Sequence, residues 1–209
     1  IDDKKPIVNA VNNWTLYAPA SGCTVDLDSA TFTRFDNCGI ASESTLLIKP
    51  STNDTLLNLT AAGRIIQTLD VDSTYMIVSN AIDASGNVAD TKITMISVLD
   101  TIAPTINDND TIRFELPQAL CEIKYAVGGA NDPFNLQISD NCLVDSIDFE
   151  INNSGIRENI NDSITFVAQD TIDIEVRARD IYNNWSTENF VVVITDELQN
   201  RFVDGPQDT

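Results

Sequence analysis

The sequence predicts an all-β chain of two tandem antiparallel β-sandwich modules, and three observations carry the prediction. The same punctuation returns about 98 positions on: Ala81-Ile82-Asp83-Ala84-Ser85-Gly86-Asn87 reappears as Ala178-Arg179-Asp180-Ile181-Tyr182-Asn183-Asn184, and Asp36-Asn37-Cys38 as Asp140-Asn141-Cys142. Apolar residues alternate with polar ones at Ile164, Phe166 and Ala168, at Ile172, Ile174, Val176 and Ala178, and at Tyr75, Ile77, Ser79 and Ala81, the period of a strand with one buried face. Turn formers bound these runs at 70–73, 84–86, 152–155 and 183–184. A helical reading would spread the apolar positions over every side, so strands are expected throughout.

The repeat also sets the module boundaries. Ile1-Asp2-Asp3-Lys4-Lys5-Pro6-Ile7-Val8 aligns with Leu99-Asp100-Thr101-Ile102-Ala103-Pro104-Thr105-Ile106, which places modules at 1–100 and 101–196 and leaves 197–209 as a tail or the opening of a next module. Because the first residues already belong to a repeat boundary, the chain reads as a piece of a longer protein. Each module has room for about seven short strands, the last two forming a hairpin, 74–81 with 91–99 and 171–178 with 188–194. Gly86 in the first hairpin turn is replaced by Asn183 in the second, the two residue types that most readily accept a positive φ, so a shared turn geometry is expected. Many short strands without a helical stretch point to sandwiches of immunoglobulin-like type.

Charge is the outlier of the composition: 32 acidic residues against 12 basic ones give a net charge of -20, with no histidine. Such a field repels nucleic acid and anionic lipid and attracts divalent cations. The plainer reading is an acidic surface that keeps a secreted protein soluble. No apolar run approaches the roughly 20 residues that span a bilayer, so no direct membrane insertion is expected. Without histidine there is no serine or cysteine triad of the usual kind and no histidine metal centre, and no phosphate-binding glycine loop is present; the chain is not expected to be an enzyme.

Cys23 and Cys38 fall in the first copy, Cys121 and Cys142 in the second, 15 and 21 residues apart. The larger spacing matches an insertion at 128–133 in the second copy. One pair per module is best read as an internal disulfide formed in an oxidising compartment. Zinc, the competing reading, would need thiols from both modules or carboxylates to complete a tetrahedral site.

Ala81-x-Asp83-x-x-Gly86-Asn87, the alternating strand that follows, Val98-Leu99-Asp100 with Pro104, and Asp36-Asn37-Cys38-Gly39 together resemble the hyalin repeat (HYR) and related bacterial immunoglobulin-like repeats. The second copy departs from this pattern at Leu143, where the first has Gly39, and at Asn183. Asp followed by Ser or Thr and then a small or aliphatic residue recurs at Ser29, Thr55, Ser73, Thr101, Thr111, Ser146, Ser163 and Thr171, which resembles the O-glycosylation signal of Bacteroidota. Giant surface adhesins of that phylum, including gliding-motility adhesins exported by the type IX system, are built from similar repeats. The resemblance implies stalk, spacer or adhesive units of an extracellular cell-surface protein, with neighbouring repeats of the same chain as partners.

In a sandwich of this type the loop between the second and third strands, the final hairpin turn and the entering chain gather at one end. Asp36 comes from the loop, Asp83 and Asn87 from the hairpin turn, and Asp2 or Asp3 from the entering segment; the second set is Asp100, Asp140, Asp180 and Asn184. Calcium takes six to eight oxygen ligands and is the cofactor expected, at a junction where Asp100 faces Asp140 and Asp180 and the ion stiffens the stalk. The arrangement is similar to a cadherin junction, although the full cadherin linker pattern is absent. In the competing reading the same Asp and Asn side chains only brace their own turns by accepting backbone N–H bonds.

Trp14 and Trp185 suit sugar stacking, but core or interface packing suits them better. The insertion at 128–133 is a candidate for a module-specific contact, or a tolerated loop. Two classes of function follow: a structural and adhesive stalk pair, or a module that itself binds a glycan or surface protein.

Overall fold

A computed structural model of the chain describes residues 2–9, 12–28, 32–60, 65–107, 111–116, 121–126, 136–152, 154–159, 162–167 and 171–196. The chain divides into two compact units, Ile1–Thr101 and Ile102–Thr209, and among the described residues every regular element is a strand. The insertion at 128–133 and the tail at 197–209 lie outside the described residues.

The first unit contains β1 (Ile7–Asn9), β2 (Trp14–Tyr17), β3 (Thr24–Asp28), β4 (Thr33–Phe35), β5 (Ile40–Lys49), β6 (Asp54–Leu59), β7 (Ile66–Asp70), β8 (Ser73–Asp83) and β9 (Lys92–Leu99). A five-stranded sheet in the order β2-β9-β8-β5-β6 forms one layer, and the pairs β1-β4 and β3-β7 form the other. The second unit contains β10 (Thr105–Asn107), β11 (Thr111–Leu116), β12 (Glu122–Ala126), β13 (Gln137–Ser139), β14 (Val144–Ile151), β15 (Arg157–Asn159), β16 (Ser163–Val167), β17 (Thr171–Asp180) and β18 (Trp185–Asp196). Its layers repeat the plan: β11-β18-β17-β14-β15 against β10-β13 and β12-β16. Each unit is an immunoglobulin-like β-sandwich.

Pairing is antiparallel with one exception in each unit. β2 runs parallel to β9, with Trp14 opposite Ile96, and β11 runs parallel to β18, with Thr111 opposite Val191. The opening of each module is therefore split, its first strand joining one layer and its second the other. In this way β9 and β18 are not left as open edges.

Burial follows the expected period of two. Tyr75, Ile77, Ser79 and Ala81 point inward from β8, and Ile172, Ile174, Val176 and Ala178 from β17. In the second unit this row closes with Ile164 and Phe166 from the opposite layer around Phe149, Phe190 and Val192. Full burial of one such side chain contributes about 1.5–3 kcal/mol, so a one-residue slip of any strand would forfeit several of these terms at once. Gly86 (φ 90°) and Asn183 (φ 71°) both adopt the left-handed conformation that their exchange predicts. A Cβ at Gly86 would meet nothing within 4 Å, so a side chain there costs backbone energy alone.

Two polar devices lock the first unit. The Tyr75 hydroxyl accepts a bond from the Asp70 N–H at 2.8 Å and lies 3.4 Å from Asp70 Oδ2, tying β8 to the corner it has just turned. Lys49 holds the same carboxylate at 2.8 Å and keeps it below the usual carboxylate range. The counterpart of Tyr75 in the second unit is Ile172, so this corner is not repeated. Arg34 of β4 crosses the sandwich: its guanidinium donates to Asn80 O at 3.3 Å and Ser79 Oγ at 2.8 Å, and it pairs with Glu43 at 3.0 Å. Its side chain is 5% exposed, and a cation so deep is tolerable only because its donors are met.

The second unit places its ion pairs on the outward side of the large sheet. Arg177 holds Asp148 through two bonds at 3.0 and 3.1 Å, and Arg157 reaches the same carboxylate at 2.8 Å and also pairs with Glu150 and Glu175. Partial burial pushes the Asp148 carboxyl up, but the bonds from Arg177 and Arg157 outweigh it and hold the group below its ordinary value.

Tyr75→Phe leaves the Asp70 N–H without its partner and is expected to cost about 1–2 kcal/mol in urea unfolding, with the m-value unchanged. A depressed carboxyl lends stability that is complete above its unfolded value of about 3.9 and lost as pH falls through the folded one. The urea midpoint of the second unit is therefore expected to fall below about pH 4, and Asp148→Asn to flatten that part of the profile.

Candidate metal centre

The turn between β8 and β9 is organised by one carboxylate. Asp83, at the end of β8, is 2% exposed; its Oδ1 accepts the N–H groups of Ser85 and Asn87, both at 2.8 Å, and its Oδ2 accepts the Asn87 side-chain amide at 2.7 Å. The backbone closes around it through Asp83 N–H to Asn87 O at 3.1 Å and Gly86 N–H to Asp83 O at 3.3 Å. The second bond closes a turn through Ala84 and Ser85, and the left-handed Gly86 that follows it brings Asn87 O back to the Asp83 N–H. Burial opposes charge on Asp83, and the Asn87 and Ser85 bonds together more than offset it, leaving its carboxyl below the usual range.

Two further segments dock on this turn. Ala84 N–H donates to Gly39 O at 3.3 Å, attaching the loop between β4 and β5, and the Asn87 amide donates to Asp2 O at 3.1 Å, attaching the entering chain. The loop is shaped by Asp36, whose Oδ1 accepts the Cys38 N–H at 2.8 Å. Its other oxygen, Oδ2, is buried and accepts no hydrogen bond. Asp2 accepts the Lys4 N–H at 3.1 Å and the Asn37 amide at 3.3 Å, and the first of these, with the Cys38 thiol, holds its carboxyl low.

One carboxylate oxygen each from Asp2, Asp36 and Asp83 therefore lies within 4.8 Å of the others. Oxygens on opposite sides of a calcium ion are about 5 Å apart, given bonds of 2.3–2.6 Å, so the spacing suits that ion. Asp3 is exposed and outside the cluster. Asn87 turns its amide nitrogen, not its oxygen, toward Asp83 and Asp2, and so acts as a strut between them.

The second unit reproduces the scaffold. Asp180, 1% exposed, accepts the N–H groups of Tyr182 and Asn184 at 2.8 Å and the Asn184 amide at 2.7 Å; Ile181 N–H reaches Leu143 O at 3.2 Å. Asp140 accepts the Cys142 N–H at 2.9 Å, and its Oδ2 is again buried without a hydrogen bond. Asp100 follows β9 at the end of the first unit and is buried. Leu143 in place of Gly39 is accommodated because the residue after Cys142 does not take a positive φ, whereas Gly39 does, at 98°.

The cysteines depart from expectation. Cys38 and Cys121 are exposed free thiols, so neither a Cys23–Cys38 nor a Cys121–Cys142 bridge is formed. The Cys38 sulfur is engaged locally instead: the Asn37 amide donates to it at 3.1 Å, and the Asp2 carboxylate beside it pushes its thiol pKa up. Spacing alone implied the within-module pairing, and it carries no information about which way a loop thiol turns.

Trp14 is half-buried in β2. Trp185 is 46% exposed, but its ring is flanked by the guanidinium groups of Arg177 and Arg179 at 5.0 and 5.3 Å, so its face is occupied by the protein itself. Arg34 and the Tyr75 corner were not anticipated. The alternation of Thr33, Arg34 and Phe35 with exposed flanks was the available signal for Arg34, but a charge at an inward position argues against itself.

No family model and no curated protein matches the chain. Among solved structures, the fibronectin(III)-like modules of Clostridium thermocellum CbhA align at 12% identity over 97% of this chain and 100% of that one, with a TM-score of 0.33. A 1.5-MDa bacterial ice-binding adhesin aligns at 14% identity over 93% of this chain and 66% of that one, with a TM-score of 0.37. The insect immune protein hemolin aligns at 8% identity over 94% and 48%, with a TM-score of 0.43. The fold assignment stands on the strand order and register described above.

Asp180→Ala removes three bonds to a buried turn and is expected to destabilise the second unit by about 3 kcal/mol, read as a lowered urea midpoint with the strand signal retained in circular dichroism.

Proposed function

We propose that the chain is a pair of structural and adhesive modules, a calcium-stiffened stalk segment of a large extracellular bacterial surface adhesin, without catalytic activity. The observation that carries the calcium reading is the buried, unbonded Oδ2 of Asp36, on a carboxylate grouped with those of Asp2 and Asp83. A desolvated carboxylate oxygen without a donor is costly, and a cation is the partner its charge asks for. The same orphan oxygen recurs at Asp140, in the corresponding loop of the second unit. An ion bound to Asp2, Asp36 and Asp83 would tie the entering chain to two loops of its module and remove the freedom of the linker segment. Asn87 and Asn184 hold the framework, and backbone carbonyls and water complete the shell.

An extracellular position and O-glycosylation belong to the same reading. Thr55, Thr101, Thr111, Ser163 and Thr171 are exposed acceptors, Ser73 and Ser146 are half-buried, and Ser29 lies outside the described residues. The alternative, that the modules themselves bind a glycan, gains nothing from Trp185, whose ring already stacks on two arginines.

Calcium at about 100 times its dissociation constant adds about 2.7 kcal/mol, a rise of roughly 10 °C or more in the melting temperature of a domain this size. Thermal melting with calcium and with a chelator reads this directly. Asp36→Asn, which keeps the bond to Cys38, is expected to abolish the calcium shift. A melting temperature indifferent to about 10 mM calcium, tenfold above the weakest extracellular sites, sinks the reading.

A further inference from the structure

The outward face of the large sheet differs in kind between the two units. In the second unit it is a grid of charges: Asp148 and Glu150 on β14 and Asp173, Glu175, Arg177 and Arg179 on β17. In the first unit, cross-strand register places Ile93, Val78 and Leu46 in one row and Met95, Met76 and Ile48 in the next. Both methionines of the chain are in this patch. Around it the outward positions of β2, β5, β8 and β9 are serine, threonine, asparagine, tyrosine and further aliphatic residues; none is charged. The patch is open to solvent, Ile93 being 55% exposed and Leu99 40%.

We propose that this face is a homophilic contact surface, its occupant being the same face of a second copy of the chain. The charge distribution selects that partner. Two chains of net charge -20 repel over most of their surfaces, and this sheet face brings none of that charge into contact. A two-fold arrangement sets apolar rows against apolar rows, as the layers of a sandwich pack. Five strands about 4.8 Å apart and about eight residues long give an area on the order of 500 Å². Doubled, this is about 1,000 Å², the lower limit for a specific interface, so the contact is weak and reversible for one module pair. Repetition along an array would multiply it, since each engaged pair raises the effective concentration of the next. The contact does not depend on calcium.

The sign of its salt dependence is distinctive. An interface built on ion pairs weakens with salt, whereas this one strengthens, because salt screens the repulsion between two acidic bodies and has no charge to weaken in the contact itself. Sedimentation of the chain with Cys38→Ser and Cys121→Ser, which rules out covalent dimers, is expected to show an average mass that rises with concentration. That rise should steepen as salt goes from about 0.01 to 0.1 M and the Debye length falls from about 30 to 10 Å. Ile93→Asp and Val78→Asp place carboxylates face to face and are expected to weaken association at least tenfold, while Thr187→Asp on the second unit leaves it unchanged. Ile93 is exposed enough for its variant to keep the parent melting temperature. A monomer at every concentration and salt, a dimer that salt dissolves, or a dimer untouched by Ile93→Asp overturns the proposal.

Discussion

A buried carboxylate at the end of the penultimate strand is the constraint on which both modules are built. Asp83 and Asp180 each accept two backbone N–H groups and one asparagine amide, at the same distances to within a tenth of an ångström. Removal of a charged group from water is costly unless every lone pair in reach is used. The turn is therefore wound tightly around the acid, and this winding demands a left-handed residue, Gly86 or Asn183. The neighbouring loop then docks by a single backbone bond, to Gly39 O in one unit and Leu143 O in the other. In the first unit the entering chain also docks here, through the Asn87 amide and Asp2 O.

The two copies share what the turn and the core require and differ where neither makes a demand. Inward positions of the last hairpin keep their apolar character, with Tyr75, Ile77 and Ala81 matched by Ile172, Ile174 and Ala178. Outward positions have drifted to opposite extremes, uncharged in the first unit and laced with arginine and acid pairs in the second. An exposed pair such as Arg179 with Asp145 contributes little to stability, so that part of the exchange is nearly free for folding. It changes what each face can meet in solution, and that is where functional difference between repeats of one chain can accumulate.

Much of the fold was legible because it depends on pattern. Period two located the inward rows of β8 and β17, and the exchange of Gly86 for Asn183 announced a shared turn. The meeting of Asp2, Asp36 and Asp83 followed from knowing that loop, hairpin and entering chain share one end of a sandwich. Features that depend on the direction of a single side chain were not legible. The Cys38 thiol turns toward Asn37 and Asp2, which no spacing foretells. Arg34 occupies an inward position that its charge argues against, and it is legitimate there only because Glu43, Ser79 and Asn80 lie within reach. Parallel pairing of β2 with β9 is equally silent, because alternation does not state a strand's direction.

The turn-bracing and the metal-binding readings of the acids are compatible, and the bond inventory separates them residue by residue. Asp83 has both oxygens committed to the turn, so its first task is structural, and a carboxylate oxygen with one N–H bond keeps a second lone pair for an ion. Asp36 divides the work between its atoms: Oδ1 braces the loop through Cys38, while Oδ2 has no structural bond at all. Were bracing the whole story, a buried oxygen with nothing to accept would be a pure cost, and asparagine at 36 would brace the same N–H through its own oxygen without bringing a charge. Recurrence of the orphan at Asp140, in a copy whose surrounding sequence has otherwise drifted, is the observation on which the calcium proposal rests.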